Sequence, residues 1–315
     1  MTSARVWLNN KPWVWPFGAA FLIWLVTVYA ASGRGATATL SAAALLSVFY
    51  VIVGMGQMFV IASGNSNIDL SVPYTMTLAG YLSMGYMHAD NSGLLVGILI
   101  GLVCGFAVGL LNVSMIRFLR MPPIIATLAV GYIAQSAATV YSHGSTAKPS
   151  PVLANYATAQ VLGIPIMSIT FVLVSIAVGV LLVRSTFGRS VLAYGQNARA
   201  AWLAGVKIQR TVTLCYVISG VLAGLAGVLI SAYAGGAALD IGLPYQLGSI
   251  AVVVLGGSAI AGGKANVPGI WGAALFLTLV VNMLNAMQVG AAWRDIIQGL
   301  IIVAVLAIAG GEGER

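Results

Sequence analysis

Apolar runs close to twenty residues long recur from end to end of this 315-residue chain, separated by short polar stretches. A helix of that length crosses roughly 30 Å of hydrocarbon. The pattern predicts spans near 13–32, 41–62, 69–88, 93–116, 122–142, 165–183, 211–233, 247–262, 267–288 and 295–310. No alternating ten-residue pattern supports a β-barrel, and backbone groups in lipid must then be satisfied within helices. The expected fold is all-α and polytopic, with about ten transmembrane helices in a single domain covering 1–315.

Polar interruptions divide the chain into two halves, about 41–142 and 211–310, around a basic loop at 184–210. A short internal echo supports the division. Asp69-Leu70-Ser71-Val72-Pro73-Tyr74 matches Asp240-Ile241-Gly242-Leu243-Pro244-Tyr245 at an offset of 171 residues, and Leu111-Asn112 returns at nearly that offset as Leu284-Asn285. The first hexapeptide opens a span running outward and the second one running inward, which is an inverted-topology repeat with the substrate path expected where the repeats meet. Each echo also reads as a broken helix near a repeat start. Gly64-Asn65-Ser66-Asn67 interrupts an apolar run, and Asn67 or Asp69 is placed to cap the helix that follows. An acidic residue at membrane depth is costly and usually faces a cavity or a partner. Asn67, Asp69, Ser71, Asn112, Asn282 and Asn285 are therefore candidates for the translocation path, with simple capping as the other reading of Asp69.

Composition agrees with a life in lipid. The chain is 60% hydrophobic and 6% charged with a mean hydropathy of +1.01, whereas a soluble domain carries about 25% charged residues. The net charge of +8 reports orientation before it suggests a polyanionic partner. With the N-terminus inside, Arg5, Lys11, Arg117, Arg120, Arg184, Arg189, Arg199, Lys207, Arg210, Lys264 and Arg315 fall on the cytoplasmic side, and only Arg34, Lys148 and Arg294 fall outside. Eleven against three is a positive-inside bias that needs no nucleic acid, and it places both termini in the cytoplasm. Trp13, Trp15 and Trp293 sit near span ends, where interfacial aromatics belong. The first run resembles a signal peptide in having Lys11 ahead of it and Tyr29-Ala30-Ala31 behind, but it carries Trp24, and an even span count fits the charges only if it stays.

Other features describe packing more than chemistry. Gly97, Gly101, Gly105 and Gly109 are spaced by four on one span and allow close backbone approach, as do Gly220, Gly224 and Gly227 on another. Cys104 and Cys215 read as small core residues, and no metal site is expected. His88 and His143 fall near loops, and no HExxH or GxSxG pattern occurs. Gly256-Gly257-Ser258-Ala259-Ile260-Ala261-Gly262-Gly263-Lys264 fails the phosphate-binding loop pattern at Ser258 and again at Ala265. The chain is therefore not expected to be an enzyme.

Four ordered blocks carry a family resemblance. Asn67-Ile68-Asp69-Leu70-Ser71-Val72 is similar to Gly-Ile-Asp-Leu-Ser-Val-Gly, and Pro122-Pro123-Ile124-Ile125-Ala126-Thr127-Leu128 to Pro-Phe-Ile-Val-Thr-Leu. Gly188-Arg189, Ala193-Tyr194-Gly195-Gln196-Asn197, Ala200-Ala201 and Gly205-Val206 follow, then Ala251-Val252-Val253-Val254-Leu255-Gly256-Gly257-Ser258 with Gly262-Gly263 behind. In these blocks the chain resembles the permease subunits of bacterial ATP-binding cassette sugar importers of the ribose, xylose, arabinose and galactose type.

The resemblance implies a transport subunit in the bacterial inner membrane that binds no cofactor itself, with ATP and Mg held by a separate cytoplasmic ATPase. It implies a periplasmic sugar-binding protein, a second permease copy or paralogue and the surrounding lipid as the other partners. It also implies that 197–205 is a coupling helix seated on the ATPase, carried by Gly195, Asn197, Arg199, Ala200, Ala201 and Gly205. A basic loop helix lying on anionic headgroups is the alternative reading of the same residues. The chain departs from the family at Asn67, Pro73 and Val113, where glycine is usual, and at Lys264-Ala265-Asn266; Pro73 should stiffen the start of its helix. A stand-alone carrier driven by an ion gradient is the alternative function, but such carriers generally couple through intramembrane ionisable groups, and only Asp69 is firmly near a membrane break.

Overall fold

The computed structural model describes residues 13–30, 35–143 and 147–310. Its helices in chain order are α1 (Val14–Ala30), α2 (Ala36–Ala62), α3 (Val72–Met87), α4 (Leu94–Phe118), α5 (Pro123–Ser142), α6 (Pro151–Thr158), α7 (Ile166–Arg184), α8 (Thr186–Gln196), α9 (Ala198–Leu203), α10 (Ile208–Tyr233), α11 (Tyr245–Leu255), α12 (Val267–Ala286) and α13 (Ala291–Gly310). A two-residue hairpin pairing Gln160–Val161 with Ile164–Pro165 and a 3-10 turn at Asn91–Gly93 complete the described elements. The exposed Asp90 carboxyl accepts from the Ser92 amide and hydroxyl at that turn, which holds it below the usual carboxylate range.

Among the described residues, six segments are long and apolar enough to cross a membrane: α2, Asn91–Phe118, α5, α7, α10 and α12. α1 and α11 are shorter apolar helices of 17 and 11 residues. The expected span at 247–262 is therefore corrected. Its helix stops at Leu255, and the backbone turns through Gly257, Gly262 and Gly263 at φ of 88°, 96° and 75°. Only glycine adopts such angles without cost, so the apolar composition of this stretch concealed an end that its glycines impose.

α2 and α10 form the centre. The membrane-length window of α2 is 89% buried within the chain and that of α10 61%, against 33% for the window containing α4. α2 is apolar around its whole circumference, as a helix buried on every side must be. Glycines let neighbours approach α10 closely. Gly101, Gly105 and Gly109 of α4 lie against Gly224, Gly220 and Tyr216 of α10, where any β-carbon would overlap backbone or side-chain atoms of α10. Gly97 packs instead on Met87 of α3.

The contacts also fix direction. Met76 and Gly80 of α3 meet Gly227 and Ser231 of α10, so these two helices are parallel. Phe49 and Gly56 of α2 meet Tyr233 and Ser219, so α2 is antiparallel to α10; Tyr50 and Gly54 meet Gly248 and Val252, so α2 is parallel to α11. It follows that α3 and α11, which open at the two Pro-Tyr echoes, run in opposite senses. Each follows a long helix and a break.

Charge divides the ends. Arg117, Lys207 and Arg210 line one cleft, and the turn bearing Lys264 packs on the α8 terminus, which marks a basic end. Lys148 and Arg294 lie at the other end, where the Lys148 carbonyl accepts from the Ala89 amide and Arg294 bonds to Asn285. Arg5, Lys11, Arg34 and Arg315 lie outside the described residues.

Candidate functional site

The break between α2 and α3 is built around Asp69, which is 1% exposed. Its Oδ1 accepts from the Ser71 amide at 3.0 Å, the Ser71 hydroxyl at 2.6 Å and Asn112 Nδ2 at 3.3 Å; its Oδ2 accepts from the Ser219 hydroxyl at 2.7 Å. Asn112 Nδ2 also donates to Ser71 Oγ at 2.8 Å. The Gln57 amide, turned to match its neighbours, donates to the Asp69 carbonyl and accepts from the Asp69 amide, each at 3.3 Å. Beside this, Asn67 donates to Ser63 at 3.0 Å and accepts from the Tyr216 hydroxyl at 3.2 Å, and Thr127 accepts from the Leu70 amide at 3.1 Å.

This arrangement ties α2, α3, α4, α5 and α10 together where helical backbone bonding is interrupted. Non-helical backbone inside a membrane must find such partners or line water. Asn67, Asp69, Ser71 and Asn112 are all buried and bonded to protein, so the structure brings together four of the six path candidates as a buried polar joint. The remaining two lie apart. Asn285 is exposed and bonded to Arg294, and Asn282 sits half-buried one turn earlier on α12. Repeat symmetry thus holds for helix order and fails for the chemistry of Asn112 and Asn285. Sequence reading missed Gln57, Tyr216 and Ser219, because single polar residues within apolar spans carry no pattern that assigns them a partner.

At the basic end three backbone segments meet through glycine. Gly195, at the end of α8, lies against the Ala62 carbonyl and the Gly263 backbone, while Gly64 and Gly262 touch each other and Gly195. The Gly263 amide donates to the Ala62 carbonyl at 2.9 Å, Gln196 Nε2 donates to the Gly263 carbonyl at 3.2 Å, and Asn65 bonds the Tyr194 hydroxyl. At Gly195, Gly64 and Gly262 the contacts are backbone against backbone, so the end of α8 sits directly on the break after α2 and on the turn after α11.

The neighbouring helix α9 is shorter than the expected 197–205 but occupies the same place. Asn197 caps it by accepting from the Ala200 amide at 2.9 Å, and Gly205 ends it at φ 82° with its amide bonded to the Trp202 carbonyl at 3.0 Å. Ala200 and Arg199 are exposed. Ala201 is not available to a partner, being 3% exposed and packed within its own chain. The outward apolar residues are Trp202 and Leu203, 58% and 69% exposed, with the Arg199 guanidinium 5.3 Å from the Trp202 ring. A cleft of about 710 Å³ beside them is lined by Arg117, Trp202, Lys207 and Arg210. Nothing in the sequence marked Trp202 as outward-facing, because a six-residue helix is too short for its hydrophobic pattern to set which side faces in. Among the described residues no group of three or more metal-ligating side chains occurs.

A family model described as branched-chain amino acid transport system / permease component matches residues 39–306. The D-allose transport system permease protein of Escherichia coli K12 is 30% identical over 259 residues, covering 82% of this chain and 79% of that protein. The ribose import permease protein of Bacillus subtilis 168 is 32% identical over 261 residues, covering 81% and 80% respectively. The L-arabinose ABC transporter permease protein of Azospirillum brasilense is 31% identical over 267 residues, covering 83% and 77%. No solved structure matches the chain.

Proposed function

This chain belongs to the branched-chain amino acid transport system / permease component family, and on that footing we propose that it is the permease subunit of an ATP-driven importer for a monosaccharide or similar small polyol. Sugar rather than amino acid is favoured because the allose, ribose and arabinose permeases match it along most of their length. ATP and Mg are bound by a separate cytoplasmic ATPase, and a periplasmic binding protein delivers the sugar. A second permease, identical or related, completes the pathway in the inner membrane. The basic end faces the cytoplasm, in keeping with the positive-inside rule.

The observation that carries this reading is the seating of Gly195 on Ala62 and Gly263 while Trp202 and Leu203 point outward one helix later. A partner that grips α9 would move α8 with it, and through the glycine junction would shift both helix breaks. Alternating access then needs only a rigid push at one end. The arrangement is what a transport subunit driven from outside requires, whereas a self-sufficient carrier has no use for an outward apolar ridge at its basic end.

The test is reconstitution in sealed vesicles with and without the ATPase and binding protein, offering D-ribose, D-allose and L-arabinose in turn. Uptake of at least one sugar should require ATP and both partners. Equal uptake by the chain alone under an ion gradient would replace this proposal with the stand-alone carrier.

A further inference from the structure

The segment between α10 and α11 returns into the depth of the bundle without forming a helix. It leaves the end opposite the basic one, where the Ala237 amide donates to the Ala147 carbonyl at 3.3 Å. Gln135 Nε2 then donates to the Leu239 carbonyl at 3.0 Å. Gln135 lies two turns inside the Ser142 end of α5, about 10 Å from it at 1.5 Å per residue. Gly242 rests on the Pro73 backbone, and the Tyr245 ring lies 4.6 Å from that of Tyr50 near the middle of α2. Residues 238–244 are thus irregular backbone at the depth of the spans.

One face of this segment is uncovered by the chain. The Asp240 carbonyl accepts from the Leu243 amide at 3.0 Å, but its side chain is exposed and bonds to no described residue; Pro244 is exposed and Leu243 is 50% exposed. Lipid cannot lie there. Irregular backbone at membrane depth occurs only where it is buried in protein or lines water, and an unpaired carboxylate facing hydrocarbon is strongly disfavoured. Beside it stand the Tyr132 ring, 56% exposed on α5, and the Tyr74 hydroxyl near Tyr132 and Gln246, while the unpartnered Oε1 of Gln135 is buried behind the segment. A carboxylate accepts hydrogen bonds from hydroxyl groups, and an exposed ring covers the apolar C–H face of a sugar.

Resting on the permease reading above, we propose that residues 238–244 line the aqueous translocation path and that Asp240 is a transient acceptor for the hydroxyls of the passing polyol, with Tyr132 as the ring it slides across. The path therefore runs over this open face rather than through the buried joint at Asp69. Acceptors here are few and partly hydrated, which suits passage better than tight holding.

The experiment has two arms, run on the complete transporter with Cys104→Ala and Cys215→Ala. In the first, Leu243→Cys is exposed to a charged, membrane-impermeant thiol reagent and compared with Ser92→Cys in the outer loop and Val103→Cys on the outside of α4. Leu243→Cys should label within tenfold of the Ser92→Cys rate, while Val103→Cys, 62% exposed in the native chain yet facing lipid, should stay unlabelled. Labelling of Leu243→Cys as slow as Val103→Cys overturns the proposal. In the second arm, uptake of the sugar that the native transporter carries is measured with Asp240→Asn and Asp240→Leu. Asp240→Leu should lose at least tenfold in rate and Asp240→Asn a few fold, with binding-protein-stimulated ATP hydrolysis retained. Native uptake rates in Asp240→Leu overturn the role of the carboxylate. Should the native transporter carry no sugar, the permease reading fails by itself, and the labelling arm still decides whether this loop meets water.

Discussion

The Ser219 hydroxyl donates to the Asp69 carboxylate at 2.7 Å, joining residues that lie 150 positions apart and in opposite halves of the chain. Through this bond the break after α2 is fastened to the central helix α10. A carboxylate here has three side-chain donors, so its removal takes the acceptor from the Ser71 and Ser219 hydroxyls and leaves Asn112 only its bond to Ser71. A hydrogen bond to a charged group contributes about 1.5–3 kcal/mol, although polar contacts between membrane helices average lower, about 0.6 kcal/mol. Ser219→Ala should cost about 1 kcal/mol and Asp69→Leu several times more, with Asp69→Asn between them. Thermal unfolding of the purified protein in detergent checks the order; equal melting points for Asp69→Leu and the native chain would mean that the joint contributes nothing.

Helix packing offers a second expectation. A side chain at Gly105 must collide with the Gly220 carbonyl, whereas a β-carbon at Gly179 meets nothing within 4 Å. Gly105→Leu should therefore lower stability by more than the roughly 1–3 kcal/mol typical of overpacked cores, because backbone cannot move aside as a side chain can. Gly179→Leu should be neutral. The comparison is of folded yield and unfolding temperature for the two variants.

Coupling should separate two kinds of change at the basic end. Trp202→Ala and Leu203→Ser remove exposed apolar surface, so they should weaken co-purification of the ATPase and leave the melting temperature unaltered. Ala201→Trp should do the reverse of a surface change, lowering the melting temperature because Ala201 is packed inside its own chain. Gly195→Val should permit ATPase binding yet abolish sugar-stimulated turnover, by wedging α8 away from Ala62 and Gly263. Full stimulated turnover in Gly195→Val would show that force reaches the membrane helices by another route.

Sidedness can be read with single cysteines. Ser92→Cys should react with an impermeant reagent from the outside and Ser190→Cys from the cytoplasm, since Ser92 is exposed and Ser190 half-buried at opposite ends. Ser150 is an unsuitable probe despite its place in a loop: it is fully buried and caps α6 by accepting from the Leu153 amide at 3.3 Å. Reaction of both Ser92→Cys and Ser190→Cys from one face would contradict the assigned orientation.

Hydropathy alone determined that this chain is a helical membrane protein, because lipid leaves the backbone few ways to satisfy its own polar groups. Basic residues marked one end, and the Asp-x-x-aliphatic-Pro-Tyr echo marked two helices, α3 and α11, that do run in opposite senses. The ordered blocks around Asp69, Thr127, Gly195 and Gly256 were enough to point to the family. Depth and partners were another matter. Asp69 and Asp240 occupy equivalent places in the echo, yet one is enclosed by Ser71, Asn112 and Ser219 while the other stands open beside Leu243. Which aspartate is covered depends on helices far away in the sequence, and hydrogen-bond partners of isolated polar residues leave no local pattern. The same holds for Ala201 and Trp202, adjacent on one short helix, where only the packing of α9 decided that the small residue turns inward and the large one outward.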